Sequence, residues 1–428
     1  MGNLRQALSF ATGLYRSRVD LTFAGYVRRD PMALLQLRPG RDNPYAIYDE
    51  MRRHGTLSPT RMGNWVTTSH RVCNEVLRDR RFGVRPADSP KPDPSTDDFD
   101  LSFLDMNPPD HTRLRRLAQP AFSPKHMAGY RRRIEATVGQ LLDRAEAAGS
   151  FDLVATLAAP LPIAVITDLL GIPDPDAEHF ARYGTVIGGA LDGIRSLSHA
   201  SRLQAANAAL TTLFEGLFAL RRHKPADDLV SRVVTAEGDQ VQPAEMLPMC
   251  VLLLVAGFET TVNLIGNAVN ALLDHPQQWE ALCSDPATMA AKAVEETLRY
   301  DPPVQRTGRF ALQPLELDGK TIREGQFVVT LIGAANRDPQ AYPDPNRFDI
   351  TREHTTDHLA FSSGIHYCIG QPLARLEATI ALQSLAKRWP RLRRAGPTRR
   401  RNSNTIRGPI HLPVRANTPT HRTPTTAR

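Results

Sequence analysis

A chain of 428 residues is long enough for a large hydrophobic core, and an apolar content of 41% with 23% charged residues is typical of a soluble globular protein. The longest apolar run, from Met249 to Phe258, is about half of what a bilayer span needs, which excludes a transmembrane helix there. The formal net charge of +8 comes from 53 basic and 45 acidic residues, and much of the excess lies after Trp389.

The N-terminal segment carries arginines through its middle and no continuous apolar block of signal-peptide length. We therefore treat residues 1–39 as an extension and expect a cytoplasmic protein. The patterns that follow predict a short helix from Asn43 to His54, a strand from Asn64 to Ser69 and a helix from His70 to Arg78. The four cysteines of the chain neither make a disulfide framework nor stand at zinc-like spacing, which suits a reducing compartment.

Prolines and aspartates crowd the stretch from Arg85 to Asp100, which predicts a mobile loop of the kind that covers binding sites. A proline pair then stops the preceding segment, and Asp110 can cap a new helix. His111 and Arg115 fall four residues apart on one face of that helix. By spacing alone, such a pair is typical of a solvated surface.

The chain is predicted to be mostly helical from Met127 to His223, with a break near Gly171. Within this region, the segment from Ala181 to Ala205 is rich in glycine, alanine and serine. We expect its helices to pack loosely and to be able to shift. Its composition alone indicates no more than a poor helix.

A long buried helix is predicted from Ala244 to about Asp274. Gly257, Glu259 and Thr260 interrupt its apolar run, although glycine costs roughly 1 kcal/mol against alanine in a helix and an unpaired buried polar group costs more. Either these residues serve a function, or the Thr260 hydroxyl bonds to the preceding turn while Glu259 reaches water at a bend.

Glu296 and Arg299 stand three residues apart on the next helical segment, a pair that is common on helix surfaces and indicates nothing by itself. An extended stretch beyond them carries Arg309. The runs from Leu315 to Leu317 and from Phe327 to Ile332 predict strands.

The most informative stretch runs from Phe361 to Gly370, reads FSSGIHYCIG and leads into an apolar helical segment with Pro372 in its first turn. Cys368 therefore lies at a helix N-terminus, where free backbone N–H groups and the helix dipole favour a thiolate over a thiol. A thiolate can attack a substrate or bind a metal, whereas a lone cysteine is most often buried and inert. The order of residues favours metal binding, because Gly364 and Gly370 would let a flat group approach the backbone and Phe361 would exclude water.

This stretch resembles the haem-binding signature of the cytochrome P450 family. In that signature a phenylalanine, a glycine, a histidine or arginine, the ligand cysteine and a second glycine stand at fixed spacing. The matching residues are Phe361, Gly364, His366, Cys368 and Gly370. The resemblance implies haem b as cofactor, with Cys368 as the axial thiolate ligand of the iron.

The resemblance covers residues 40–415 and implies the family's fold, a single domain that is mainly α with a small β region. The segment from Asn404 to Val414 is similar to the family's terminal hairpin, whose turn near Ile406 enters the pocket. Residues 416–428 are low in apolar side chains and are predicted to be disordered. The arginines between Arg391 and Arg401 could form a nucleic-acid arm, a face for an acidic partner or, as is usual, a solvated end; without a nucleic-acid-binding motif we expect no such partner.

Residue by residue, the resemblance implies further roles. The residues expected to contact the haem propionates are His111, Arg115, Arg309 and His366. The residues expected to form a buried network that locks the haem loop are Glu296, Arg299 and Arg347.

The stretch AGFET resembles the family's oxygen-binding segment. The resemblance implies that Ala256 and Gly257 leave room for dioxygen above the iron. It also implies that Thr260 donates a hydrogen bond to the bound oxygen and that Glu259 passes protons inward.

Together these features imply a monooxygenase that inserts one oxygen atom of O2 into a C–H bond or a double bond of a small molecule. The chain carries no flavin or nicotinamide fingerprint, so we expect electrons from a separate acidic ferredoxin, which a basic surface near Cys368 would suit. The expected pocket segments are mostly apolar or small outside the acidic loop, which favours a lipid, terpenoid or polyketide, and we expect a monomer. The alternatives are a haem protein that binds or senses a ligand without oxygenating it, for which Glu259 and Thr260 would be unnecessary, and a peroxide-driven enzyme.

Overall fold

The fold is seen in a computed structural model. The residues that it describes are 12–13, 15–61, 63–89, 100–146, 149–173, 176–193, 196–353 and 355–416. Parts of four sequence predictions lie outside these residues: 1–11 and 14 of the extension, 90–99 of the loop, 194–195 of the Ala181 to Ala205 segment and 417–428 of the tail.

The described chain is mainly α-helical. Helix α1 covers residues 15–22 and continues into a π-helical turn, Phe23–Val27. The α-helices that follow are α2 (Pro31–Gln36), α3 (Arg38–Asp42), α4 (Tyr45–Arg53), α5 (His70–Arg78), α6 (Asp110–Ala118), α7 (Pro124–Glu146), α8 (Pro160–Leu170), α9 (Ala177–Ala190), α10 (Leu197–His223), α11 (Leu229–Thr235), α12 (Pro243–Asp274), α13 (Pro276–Ser284), α14 (Pro286–Tyr300), α15 (Ile332–Ala335) and α16 (Gln371–Arg388). Further helical turns are Ser102–Asp105, Gln119–Phe122, Val154–Ala158 and Gly364–His366.

The β-structure is small and divided among separate sheets. The strands are β1 (Leu57–Pro59), β2 (Trp65–Thr67), β3 (Phe82–Gly83), β4 (Ser150–Asp152), β5 (Thr307–Ala311), β6 (Leu315–Leu317), β7 (Lys320–Ile322), β8 (Phe327–Thr330), β9 (Arg393–Arg394), β10 (Arg399–Arg400), β11 (Pro409–His411) and β12 (Pro413–Arg415). The largest sheet has the order β1-β2-β8-β5-β3, in which β2 and β8 are parallel and the other pairs antiparallel. The other sheets are β4-β12-β9, β6-β7 and β10-β11.

Helix α12 forms the centre of the helical core and packs against α8, α9, α14 and α16. It begins in a capping box, in which Gln242 and Glu245 satisfy each other's backbone N–H groups. By length and composition alone α12 would pass as a membrane span, yet 78% of its most apolar window is buried within the fold. That is the position of a core helix.

Several predicted elements are confirmed closely. The helix from His70 to Arg78 and the strand from Leu315 to Leu317 have the predicted bounds, and α12 differs by one residue at its start. The strand that begins at Phe327 ends at Thr330 rather than Ile332, because Ile332 already starts α15. Left-handed Gly171, with φ of 77°, ends α8 where the break was predicted.

The arginine-rich C-terminal stretch is solvated only in part: Arg391, Arg393, Arg394 and Arg399 are exposed, as its composition predicts, whereas the Arg401 side chain is 8% exposed. Arg394 lies 2.8 Å from the Asp274 carboxylate, and Arg401 pairs with Glu259. The predicted hairpin from Asn404 to Val414 is also wrong in its bounds, since β10 pairs with β11 and β12 instead joins β4 and β9. Glu259, on a helix far away in the sequence, holds the Arg401 side chain inside the fold, and no local pattern shows this pair.

Asp301 is a buried carboxylate at which the C-terminal strands meet the N-terminal helices. Its Oδ1 accepts from Arg407 Nε at 2.8 Å and from the Tyr45 hydroxyl at 2.6 Å, and Arg400 lies 3.4 Å from its Oδ2. Desolvation acts to raise the pKa of Asp301, but the positive charges of Arg407 and Arg400 outweigh it and hold that pKa at about 2.

Asp301→Asn should make the protein less sensitive to acid. A carboxyl with a pKa of about 2 in the folded state and about 3.8 in the unfolded state stabilises the fold by about 2 kcal/mol at neutral pH, of which about 1 kcal/mol is lost by pH 3. Urea unfolding at pH 7 and pH 3 measures this difference. If the variant and the parent lost equal stability on acidification, the assigned ion pairs would be wrong.

Candidate functional site

The predicted cysteine turn presents a sulfur at the start of α16. The Cys368 N–H bonds the Phe361 carbonyl at 2.9 Å and closes the loop, and Gly370 is the N-cap of the helix. The backbone N–H groups of Gly370 and Gln371 interact with the sulfur and favour its thiolate, whereas burial raises the pKa of the Cys368 thiol. A positive ion placed against this sulfur would reverse the effect of burial.

The two glycines of this turn lie in different surroundings. Gly364 has φ of 68°, and a Cβ there would lie 2.4 Å from the Leu77 carbonyl oxygen, so it serves the turn and its packing on α5. The nearest atom to a Cβ on Gly370 is 3.7 Å away, in Phe122, which is an ordinary contact. Protein packing therefore accounts for Gly364 but not for Gly370, and the expectation that both glycines let a flat group approach the backbone stays a prediction.

Phe361 is held against the loop by a pair that the sequence analysis missed. The Arg375 guanidinium lies 4.5 Å from the centre of its ring and binds Glu295 Oε1 at 2.6 Å through Nε. His358 bonds the other carboxylate oxygen at 3.1 Å. Despite desolvation, His358 and Arg375 lower the pKa of Glu295 to about 2. Arg375 stands only seven residues after Cys368, which was the available signal.

Two histidines meet beside the cysteine turn. The rings of His111, from α6, and His366 lie 4.2 Å apart. His111 is 2% exposed, and neither of its ring nitrogens has a hydrogen-bond partner among the described residues. Burial and the neighbouring guanidiniums lower the pKa of His111 to about 4 and that of His366 to about 3. Both rings are therefore neutral near pH 7, and each keeps one N–H to donate.

Two guanidinium groups lie close enough to lower the pKa of His366. Half-buried Arg115 donates to the Tyr367 carbonyl, and Arg309, 5% exposed, donates to the Gly308 carbonyl at 2.8 Å. Across the described ranges neither guanidinium forms a salt bridge. Burial lowers the pKa of Arg309 to about 10. A buried and a half-buried positive charge, neither with a counter-charge in the described chain, indicate an anionic ligand.

A haem fits this arrangement. Its two propionates would supply the counter-charges that Arg115 and Arg309 lack, and the free nitrogens of His111 would gain an acceptor. Cys368 at the N-terminus of α16 offers the thiolate for the iron. The structure thus brings together Cys368 and the residues predicted to hold the propionates.

Helix α12 is buried along most of its length but accessible at its middle. Ala256 is exposed, and Gly257 and Thr260 are half-buried, while the residues before and after them are buried. The Thr260 hydroxyl donates to the Ala256 carbonyl at 3.2 Å, which is the back-bonding that its position allows. Gly257 is explained by packing: a Cβ there would lie 2.6 Å from Ile166 Cδ1 on α8.

Glu259 does not reach water at a bend. Its side chain is 6% exposed, and its Oε1 lies 2.6 Å from Arg401 Nη2, itself 8% exposed. The carboxylate thus has a buried counter-charge supplied from the turn after β10. Arg401 has no local signal as the partner of Glu259, because nearly 150 residues separate the two and only their opposite charges suggest the pair.

The glycines of α9 permit close packing, contrary to the loose packing predicted for Ala181 to Ala205. A Cβ on Gly184 would lie 2.3 Å from Phe258 Cζ, and one on Gly188 would lie 3.4 Å from Glu259 Cγ. Small residues let two helices approach where larger ones would hold them apart. Helix α9 therefore covers Glu259, and Phe258, 1% exposed, packs in the core.

A second missed residue connects the end of α9 to the C-terminal turn. Asp192 accepts hydrogen bonds from the Thr405 N–H at 3.0 Å and hydroxyl at 2.8 Å. Its side chain is 1% exposed and lies 3.6 Å from Arg306 Nη2. An aspartate beside Gly193 at a helix end looks like an ordinary turn residue, so its long-range role has no local signal.

The buried network predicted around Glu296 is present, but with a different third member. Arg299 is fully buried and binds both Glu296 oxygens, at 2.7 and 2.8 Å. The prediction for Arg347 is wrong: its side chain is 65% exposed and lies 3.3 Å from Asp349. Arg347 contributes only its carbonyl, which accepts from Arg299 at 3.0 Å.

Arg352 takes the place predicted for Arg347. Its Nε lies 3.4 Å from Glu296 Oε1, and its side chain is 11% exposed. It also donates to the carbonyls of Asp344 and Arg347, each at 3.0 Å. This network joins α14 to the segment that precedes the cysteine turn.

Comparison with known proteins gives matches along most of the chain. The family model "Cytochrome P450" matches residues 217–390. Cytochrome P450 107B1 of Saccharopolyspora erythraea is 40% identical over 392 residues, covering 88% of this chain and 95% of that protein. Cytochrome P450 monooxygenase PikC of Streptomyces venezuelae is 39% identical over 361 residues, covering 82% and 85%. The crystal structure of myxobacterial cytochrome P450 CYP267B1 in complex with myristic acid superposes with a TM-score of 0.82 at 38% identity, covering 90% of this chain and 99% of that one.

Proposed function

Since the chain belongs to the cytochrome P450 family, we propose that it hydroxylates or epoxidises an apolar small molecule, with electrons from a separate ferredoxin-type protein. Membership makes the protein a monooxygenase with haem iron and an axial cysteine thiolate, which confirms the predicted family, fold class, enzyme class and cofactor. The thiolate-ligated haem, when bound, activates dioxygen for the transfer of one oxygen atom. The observation that carries the site assignment is the Cys368 sulfur next to His366, around which buried Arg309 and half-buried Arg115 have no carboxylate partner in the described chain.

We assign the haem contacts to the residues around that sulfur. Cys368 would ligate the iron, Arg115 and Arg309 would bind the propionates, and the neutral rings of His111 and His366 would donate N–H groups to them. The low histidine pKa values support this assignment, because a neutral ring can donate one proton without adding a third and fourth positive charge.

Thr260 and Glu259 carry the proposed proton delivery. Thr260 lies on the accessible middle of α12, and its hydroxyl would leave the 3.2 Å back-bond to Ala256 to donate a hydrogen bond during dioxygen activation. Glu259 is held by Arg401 and covered by α9, so it must break that ion pair to accept a proton from water. Its proton supply therefore depends on movement of the turn after β10.

Thr260→Ala should keep its haem but lose the coupling of electrons to product. Without the hydroxyl donor, we expect most of the consumed reducing equivalents to appear as peroxide rather than as oxidised substrate. Measuring NADH consumed, peroxide formed and product formed in the same reaction tests this. Thr261→Ala is a matched control, since Thr261 is buried and bonds the Gly257 carbonyl at 3.4 Å. Full coupling in Thr260→Ala would refute the relay.

The proposed substrate is apolar because the accessible part of α12 offers only Ala256, Gly257 and Thr260, which are small and uncharged. The structure of CYP267B1 contains myristic acid, a fatty acid, which supports an apolar substrate. The test is an optical titration of the ferric protein with fatty acids, steroids, terpenoids and macrolides, followed by turnover under isotopically labelled dioxygen. A shift from low to high spin with one class, and label in its product, is expected; unlabelled product would contradict oxygen insertion from O2.

The surface outside the cysteine turn suits a ferredoxin. Ile365 and Tyr367 are each 40% exposed there, and Gly364 packs against the backbone at exposed Arg78. Arg116 is exposed on α6, next to Arg115, which bonds the Tyr367 carbonyl. An apolar centre with a basic rim favours an acidic partner protein. A ferredoxin bound there would also have a short path for electrons to the iron.

Arg78→Glu and Arg116→Glu should each raise the KM for a reduced acidic ferredoxin about tenfold at low salt and leave substrate binding unchanged. The effect should shrink as ionic strength rises, because salt screens surface charges. Arg53→Glu, which makes the same charge change at an exposed arginine of α4, serves as the control. An equal rise in the control would show a general field rather than a docking site.

A further inference from the structure

The N-terminal helix, defined as residues 15–27 of α1 and its π-helical turn, is fastened to the fold by one face. Gly25 is buried, and a Cβ there would lie 2.4 Å from Leu37 Cδ1, so the helix backbone lies directly on the α2 region. Leu21 and Ala24, on the same side, are half-buried. This contact fixes which side of the helix faces outward.

The outward face carries a continuous row of large apolar side chains. The exposed fractions are 73% for Tyr15, 51% for Val19, 46% for Phe23, 53% for Tyr26 and 65% for Val27. We call these residues the apolar stripe. They are five of the twelve exposed large hydrophobic side chains in the described chain, gathered in thirteen consecutive residues. Single exposed apolar residues are common on protein surfaces, but a contiguous row marks a surface that is covered in use.

Arginines border the stripe. The segment from residue 15 to 29 holds four of them, Arg16, Arg18, Arg28 and Arg29, against a single acid, Asp20. In the part of the chain that the structure describes, none of the four forms a salt bridge. The Arg28 guanidinium lies 5.0 Å from the centre of the Phe23 ring, so this positive charge lies against the apolar stripe.

We propose that the N-terminal helix docks the enzyme on an anionic membrane surface, with the apolar stripe at the boundary of headgroups and acyl chains and the arginines on lipid phosphates. An apolar stripe with aromatic residues and a cationic border is the pattern of helices that lie in a bilayer interface. Tyrosine suits that position, because its ring is apolar and its hydroxyl remains in contact with water.

Charge favours a lipid surface over a second copy of the chain. Two stripes packed on each other about a two-fold axis would bring together two arginine borders, with one aspartate in each segment to offset them. Anionic phosphates offer each guanidinium a bidentate acceptor instead. The proposal concerns where the enzyme works and does not depend on its substrate or redox partner.

The test is co-sedimentation of the full-length haem protein with vesicles of phosphatidylcholine alone and of phosphatidylcholine with phosphatidylglycerol. We expect binding to the anionic vesicles at low salt, more than about tenfold weaker binding to the neutral ones, and loss of binding at high salt. The triple variant Val19→Ser, Phe23→Ser, Tyr26→Ser should lose binding and keep its haem spectrum. Leu220→Ser, which removes an equally exposed side chain on α10, should bind as the parent does.

Three outcomes would overturn the proposal. The first is a parent protein that does not bind anionic vesicles at low salt, and the second is equal binding to both vesicle types, which would leave the arginines without a role. The third is a dimer in sedimentation analysis that the triple variant converts to a monomer while vesicle binding persists. That result would assign the apolar stripe to a second copy.

Discussion

Arg299→Leu is expected to lower the free energy of unfolding by about 3–5 kcal/mol and to reduce haem retention. The substitution leaves the Glu296 carboxylate fully buried without its closest counter-charge, and it frees three backbone carbonyls that the guanidinium satisfies. Urea unfolding of the haem-loaded protein, followed by circular dichroism and by haem absorbance, measures both effects.

Arg347→Leu and Arg352→Leu separate the two candidates for the third position of this network. The Arg347 side chain is 65% exposed, so its loss should change stability by no more than about 0.5 kcal/mol. Loss of Arg352 should cost about 1–3 kcal/mol, because its guanidinium donates to Glu296 and to the carbonyls around it. A larger loss for Arg347→Leu than for Arg352→Leu would contradict the network described here.

Arg309→Leu should weaken haem binding without lowering the stability of the haem-free protein. Its buried guanidinium has no carboxylate partner within the described chain, so its removal should leave the haem-free protein equally stable or more stable. Haem binding should weaken about 10-fold to 100-fold, which corresponds to one charged hydrogen bond of about 1.5–3 kcal/mol. Transfer of haem to an acceptor protein measures the second effect and urea unfolding the first.

Arg323→Leu is the control for this experiment, since Arg323 is an exposed arginine of the same β region. It should change neither quantity. A structural role for Arg309 would show instead as a loss of stability in the haem-free protein together with unchanged haem release. That combination would exclude Arg309 from the propionate site.

Much of the site could be predicted because its determinants are local. The turn from Phe361 to Gly370 places Cys368 by its own backbone hydrogen bond and by the helix that follows, both of which are encoded within a few residues. The bounds of α12 follow in the same way from its capping residues and its apolar length. The placement of His111 and Arg115 on one face could be predicted because it depends only on where α6 begins.

The remaining features depend on contacts between distant segments. Arg347 and Arg352 lie in the same short stretch, and only the course of the chain past α14 decides which one reaches Glu296. The counter-charge of Glu259 comes from Arg401, which its sequence neighbours identify as a surface residue. The sequence around Gly184 predicted loose helix packing, because its packing partner, Phe258, lies on another helix and does not appear in the local pattern.

The turn after β10 couples substrate preference to the counter-charge of Glu259, two properties that are usually adjusted separately. It holds Arg401 against Glu259, and a few residues later it carries Ile406 and the N–H groups that bind Asp192 at the end of α9. A substitution in this turn that is made to admit a different substrate is therefore expected also to move Arg401, the counter-charge of Glu259. On the proposed proton delivery through Glu259, we expect variants of this turn that change substrate preference to divert more electrons to peroxide, and a second change on α9 or α12 to restore coupling.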